Sequence, residues 1–233
     1  MQHQRYFLLL LVIIVLGIFG FYFKMKDNTP VSKNSIRYVA LGDSYTSGEG
    51  TTPEYSWPVV LTAHLQKQGI PLELIANPSV TGWTTQQVID NELSVYDASR
   101  PTFATLLIGV NDWVQGVDAL SFQKNLQKIL DHMQQILPNK KNIVLITIPD
   151  FSVTPAGARY GRGRDIGEGV TEFNTIIKQE AEKRNLLIVD IFPLSQQAKN
   201  KPELIATDGL HPSAKQYAKW EELIFPVVNS VLK

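Results

Sequence analysis

The sequence predicts an α/β domain built on a parallel sheet, and three observations carry that prediction. Short apolar runs at Ile36 to Leu41, Leu72 to Ala76, Phe103 to Ile108, Asn142 to Ile148 and Leu186 to Ile191 are β-branched or leucine-rich, the pattern of strands buried on both faces. Helical patterns lie between and after them, at about Trp57 to Gln68, Thr84 to Leu93, Leu120 to Leu137, Gly167 to Arg184 and Ser213 to Leu232. Strand followed by helix, five times over, implies parallel strands, right-handed crossovers and helices on both faces. The chain has 233 residues, 44% of them hydrophobic, which suits one domain with a substantial core.

The chain begins with a segment of another kind. From Phe7 to Phe23 it is unbroken in apolar character, with Arg5 before and Lys24 and Lys26 after. As a helix this run would cover ~26 Å, close to a bilayer core. Tyr6, Phe21, Tyr22 and Phe23 place aromatics at both ends. No small-x-small cleavage pair follows, so residues 1–26 are expected to be an uncleaved membrane anchor rather than a signal peptide. Lys24, Lys26, Lys33 and Arg37 outnumber Arg5, which argues for a cytoplasmic domain; long domains behind such a segment are nevertheless often translocated. The expectation is a single-pass protein with an extracytoplasmic domain. Residues 27–35, DNTPVSKNS, read as a tether, and 36–233 as the folded domain.

Composition excludes several functions. Twenty-two basic residues balance twenty-two acidic ones and no basic tract occurs, so nucleic acid is not an expected partner. Without cysteine there is no disulfide, thiol nucleophile or thiolate metal site.

In a parallel α/β sheet the ligand site lies at the carboxyl ends of the strands, so the loops leaving each strand matter most. The first is GDSYTSGEG, residues 42–50. It is neither G-x-G-x-x-G nor a P-loop, and Asp43 and Glu49 would repel a phosphate. It is not a G-x-S-x-G elbow either, because position 46 is Thr. Ser44 therefore reads equally well as a nucleophile or as a turn-forming cap.

A serine nucleophile needs a base, and there are four histidines. His3 precedes the anchor, while His64 and His132 fall within helical patterns. His211 stands in ATDGLHPS, after the last strand, with Asp208 three residues upstream. That spacing can fold the carboxylate back onto the imidazole, fixing its tautomer. The same residues would also serve as caps of the last helix. Acyl transfer further needs donors toward an oxyanion. Gly82, after the second strand, permits close approach of its N–H or simply makes a turn. Asn111, after the third, offers an amide or caps a short helix.

Taken together, GDSYTSG with Ser44, NPSVTGWTT with Gly82, GVND with Asn111 and DGLHP with Asp208 and His211 resemble the four ordered blocks of the SGNH hydrolases, the GDSL-type esterases and lipases. The resemblance covers nearly all of residues 35–233. Tyr45 stands where the family's name has leucine. The resemblance implies a flavodoxin-like three-layer α/β/α sandwich, a Ser44–His211–Asp208 triad, and an oxyanion hole of the Ser44 amide, Gly82 and Asn111. It implies hydrolysis of carboxylic esters through an acyl-enzyme, with no metal and no cofactor. The substrate is a lipid, a small acyl ester or an acylated glycan; acyl transfer onto an envelope glycan or lipid is the alternative, and a non-catalytic binding module a weaker one.

Further residues are candidate substrate contacts. Trp83 and Trp113 follow the second and third loops and would line an acyl pocket, or else pack in the core. The long connection 151–169 carries Arg159, Arg162 and Arg164, suited to a carboxylate, phosphate or headgroup, or simply solvated; its length favours a functional loop. Asp112 reads as a helix-capping or supporting residue.

Overall fold

The computed structural model describes residues 35–233. The expected anchor, and nearly all of the tether, lie outside the described residues; among those described, no helix is long and apolar enough to cross a membrane. Residues from Ile36 to Lys233 form one compact unit.

Five strands make one sheet: β1 Ile36–Gly42, β2 Leu72–Ala76, β3 Phe103–Leu107, β4 Ile143–Ile146 and β5 Leu187–Val189. Every pair is parallel and the order is β2-β1-β3-β4-β5. The order reverses between β1 and β3, and a doubly wound sheet opens a crevice at such a point. β3 and β4 are buried throughout, as their β-branched and leucine-rich runs require. β2 and β5 are edge strands and only partly buried, which corrects the expectation of burial on both faces for those two runs.

The helices are α1 Ser44–Ser47, α2 Trp57–Lys67, α3 Thr85–Gln87, α4 Leu93–Ser99, α5 Val110–Gln115, α6 Ala119–Ile136, α7 Ala158–Gly161, α8 Ile166–Arg184, α9 Phe192–Ser195 and α10 Ala214–Leu232. They pack in two groups, α2 with α10 and α4 with α6 and α8 in turn, as right-handed crossovers onto opposite faces demand. In α6 the residues Phe122, Leu126, Ile129, Leu130 and Met133 recur at helical spacing and all are buried. Phe122 stacks on Phe173 of α8 with ring centroids 4.3 Å apart. Each large apolar side chain so buried contributes about 1.5–3 kcal/mol. Asp118, Asp165 and Ser213 cap the starts of α6, α8 and α10 by accepting a backbone N–H.

The helix expected from Thr84 to Leu93 is three pieces. A capping box of Thr84 and Gln87 starts α3, a π turn follows at Val88–Glu92, and α4 continues to Ser99. Leu93 and Tyr96 carry the buried face of α4, so the helical segment runs six residues beyond the expected end.

Candidate active site

β1 delivers Ser44. Asp43 caps α1, its Oδ1 accepting the Tyr45 N–H at 3.0 Å, so Ser44 becomes the first helical residue. Gly42 makes this possible, because a Cβ there would stand 2.3 Å from Thr46 Oγ1 and 2.4 Å from the Leu107 carbonyl. Only 4% of Ser44 is exposed. Its carbonyl accepts from Gly48 and Glu49, while its hydroxyl and N–H have no hydrogen-bond partner among the described residues.

The loop Leu204 to Ser213 delivers the histidine. Asp208 Oδ1 accepts the N–H of Leu210 at 2.8 Å and of His211 at 3.0 Å. Its Oδ2 lies 2.6 Å from His211 Nδ1. Burial raises the Asp208 carboxyl, but those two N–H groups and the imidazole outweigh it and hold the group below its ordinary value. It stays an anion, and the imidazole presents Nδ1–H to it and Nε2 to the other side. The Ala206 N–H to His211 carbonyl bond of 2.8 Å and the Ile205–Pro212 bridge stiffen the loop. Gly50 of the first loop lies flush against it, since a Cβ there would come within 2.9 Å of His211 Cβ. Tyr45 wedges between the His211 and Trp220 rings, edge-on to both at 5.9 and 5.8 Å.

β3 delivers Asn111, the second residue of α5; Gly109, not Asn111, is the N-cap. Its Nδ2 donates to the Trp83 carbonyl at 2.9 Å and reaches Asp43 Oδ2 at 3.5 Å. One amide thus ties together the exits of β1, β2 and β3. The first bond is firm and the second long, so one N–H is available to a better acceptor. Gly82 has a φ of +85° and open space where a Cβ would go. Its carbonyl is held by Gln115 Nε2 at 3.2 Å. It sits beside Trp83 on the rim, outside the cleft that Ser44 lines.

A small cleft brings Ser44, Asn111 and His211 together. Its other walls are apolar or aromatic: Tyr45, Val110, Val114, Phe151, Tyr160 and Leu210. Tyr160 of α7 is 39% exposed and closes one side, edge-on to Phe151.

The candidate contacts, Arg164 among them, fall elsewhere. Trp113 is buried and packs in the core, the second of the two readings of the sequence. The Arg164 guanidinium lies 4.1 Å over its ring, Phe151 meets it edge-on at 6.0 Å, and Gly169 leaves the gap it fills. Trp83 contributes its carbonyl to Asn111, and its ring does not line the cleft. Arg159 and Arg162 are exposed and also outside it. The arginine with a defined place is Arg164, whose guanidinium donates to the carbonyls of Trp113 at 2.7 Å and Val114 at 3.0 Å, clamping the connection 151–165 onto α5.

Beneath the cleft lie three buried carboxyls, of which only Asp112 was singled out in the sequence as a supporting residue. Asp112 accepts the N–H and the hydroxyl of Thr85, joining α5 to α3. Glu92 accepts the Gly42 N–H. Burial raises all three, Asp43 and Glu92 each to about 8; the Tyr45 N–H opposes the shift at Asp43 and nearby Asp112 adds to it.

The similarities of the chain agree with this architecture. The Vibrio mimicus protein named arylesterase is 27% identical over 184 residues, 78% of this chain and 82% of the relative. The Escherichia coli protein named thioesterase 1/protease 1/lysophospholipase L1 is 23% identical over 174 residues, 74% of each chain. A solved structure of the psychrotrophic esterase EstA from Pseudoalteromonas superposes with a TM-score of 0.65 at 21% identity, covering 84% of this chain and 98% of that one. Residues 40–219, from the end of β1 into α10, match the family model for GDSL-like lipases and acylhydrolases, and it is to that family that the chain belongs.

Proposed function

We propose that the protein hydrolyses short-chain carboxylic esters with Ser44 as nucleophile, His211 as general base and acid, and Asp208 as the group that orients and stabilises the imidazolium. The observation that carries this reading is the 2.6 Å Asp208–His211 pair, with its imidazole sharing one cleft with Ser44 and Asn111. In the first step His211 Nε2 takes the Ser44 hydroxyl proton as Oγ attacks the ester carbonyl. The Ser44 N–H, the weakly held second N–H of Asn111 and, from the rim, the N–H of Gly82 stabilise the oxyanion. His211 then protonates the departing alcohol, and a water, deprotonated by the same nitrogen, releases the acid. The small cleft and its apolar walls favour a short acyl group.

The domain of residues 36–233 is, in this reading, held by residues 27–35 to a single-pass anchor at 1–26, with the catalytic face outside the cytoplasm. The support is the apolar run Phe7 to Phe23 and its aromatic ends. An ester at a membrane or in the envelope is then the natural substrate.

The test is steady-state hydrolysis of p-nitrophenyl esters from two to twelve carbons by the full chain, beside Ser44→Ala and His211→Ala. The expected result is loss of at least 10³-fold in kcat for each, with unchanged melting curves, and labelling by a fluorophosphonate only when Ser44 is present. Turnover persisting in Ser44→Ala sinks the assignment. Ester consumption that depends on an added alcohol acceptor points to acyl transfer instead.

A further inference from the structure

The exit of β1 lacks a neighbour on one side. Pairing with β2 stops at Val39 opposite Ala76, so Ala40, Leu41 and Gly42 run on beyond it. The N–H of Gly42 is met not by a strand but by Glu92 Oε2, at 3.0 Å. Glu92 closes the π turn Val88–Glu92, which packs against β1. A π turn inserts one residue and so changes the phase of the side chains that follow it, which here brings a carboxyl onto β1.

Glu92 is an unfavourable residue to keep in such a place. It is fully buried, and among the described residues its Oε1 has no hydrogen-bond partner and no cation pairs with it. A buried carboxylate without a partner is strongly disfavoured, so the group takes a proton: burial pushes it up to about 8, with nearby Asp43 adding to the shift. A methionine or leucine would fill the volume without an orphaned oxygen. What they would not supply is an acceptor for Gly42.

Gly42 has little freedom of its own. It is squeezed between Thr46 of α1 and the Leu107 carbonyl of β3. The bond from Glu92 fixes the plane of the Leu41–Gly42 peptide, two residues ahead of Ser44.

We propose that Glu92 is a positioning residue for the reaction: its carboxyl accepts the Gly42 N–H where β2 has ended and so sets the direction in which the Ser44 hydroxyl and N–H face the cleft. This rests on Ser44 being the nucleophile. Glu92 touches no substrate, so its effect belongs in kcat and in the rate of acylation, not in KM.

The experiment compares Glu92→Gln, Glu92→Met and Glu92→Asp with the wild-type full chain and Ser44→Ala, by kcat and KM on p-nitrophenyl acetate, fluorophosphonate labelling rate and thermal melting. Glutamine keeps an acceptor at the same reach and should retain kcat within about threefold. Methionine removes the acceptor, and aspartate withdraws it by one methylene; each should lower kcat and the labelling rate by roughly 10–100-fold with KM little changed. Should Glu92→Met not fold, aspartate against glutamine decides the matter alone. The proposal is overturned if the folded Met or Asp variant keeps wild-type kcat, even at a lower melting temperature, or if Gln is as impaired as Met. Wild-type turnover in Ser44→Ala would instead overturn the assignment of the nucleophile, whatever the Glu92 variants do.

Discussion

Removal of the Asn111 amide is the sharpest probe of the oxyanion reading. In the resting site the amide holds the Trp83 carbonyl at 2.9 Å and stands 3.5 Å from Asp43. Asn111→Ala therefore has two separable effects. The structural one is the loss of a single good hydrogen bond at a half-buried carbonyl, about 0.5–1.5 kcal/mol of stability. The contact with Asp43 adds little, being long and made to a carboxyl that burial keeps protonated near neutral pH. The catalytic effect is larger, because a donor aimed at a developing oxyanion contributes on the order of 3–4 kcal/mol to the transition state, or 10²–10³-fold in kcat. The ester carbonyl of bound substrate draws on that donor much less, so KM should change by no more than a few-fold. The assay is steady-state hydrolysis of p-nitrophenyl acetate and butyrate with a thermal melt on the same sample. A kcat within threefold of wild type, from a variant that melts cooperatively, refutes the role; a kcat and a KM that worsen together would mean that the amide binds substrate rather than transition state.

Three other outcomes follow from the same geometry. Gly169→Ala places a Cβ 1.7 Å from Trp113 Nε1, an overlap that should outweigh the ~1 kcal/mol alanine normally gains over glycine in a helix. A net loss of about 1–2 kcal/mol lowers the melting temperature by roughly 2–8 °C, and a rise would contradict the packing. Tyr160→Ala opens the cleft beyond Phe151 and should shift the preferred acyl chain to greater length; an unchanged chain-length profile would remove Tyr160 from the wall. The carboxyls of Asp43 and Glu92 rise from ordinary values of 3.8 and 4.5 to about 8 in the fold, chiefly through burial. The folded protein then keeps protons that the unfolded chain releases, so stability is greatest below about pH 4 for these groups and declines as pH rises toward 8. Urea midpoints from pH 5 to 8 should fall less steeply in Glu92→Gln than in wild type, and parallel slopes would contradict the shift.

Much of the fold was legible because its signals are local. The Leu72 to Ala76 run matches β2 residue for residue, and the first and last strands begin within one residue of their apolar runs. Edge position left no mark, because β2 and β5 carry nearly the same side chains as the central strands and differ only in what lies beside them. The π turn was illegible for a related reason: one inserted residue breaks the period that betrays a helix. Within the site, Asp208 and His211 could be paired from sequence because three residues span one turn. The cleft wall could not be read, since Val114, Phe151 and Tyr160, and Leu210 come from three separate segments and have no common spacing. The same holds for Glu92, which follows the exposed Asp90 and Asn91 and whose burial is decided by the end of a strand fifty residues earlier.

The clamp between Arg164 and α5 bears on how such enzymes are altered. The segment that supplies Phe151 and Tyr160 is fastened by Arg164 to the helix that carries Asn111, through the Trp113 and Val114 carbonyls and the Trp113 ring. In the proposed reading, the acyl wall and the oxyanion donor therefore share one hinge. Exchanging residues 151–165 for those of a relative, as a means of importing its acyl preference, is not a modular operation. A graft that omits the arginine strips the Val114 carbonyl of its side-chain donor, leaves that of Trp113 with only the Gly116 N–H and loosens the helix that carries the amide, whereas one that transplants Arg164 together with its tryptophan carries the new wall on the same fastening.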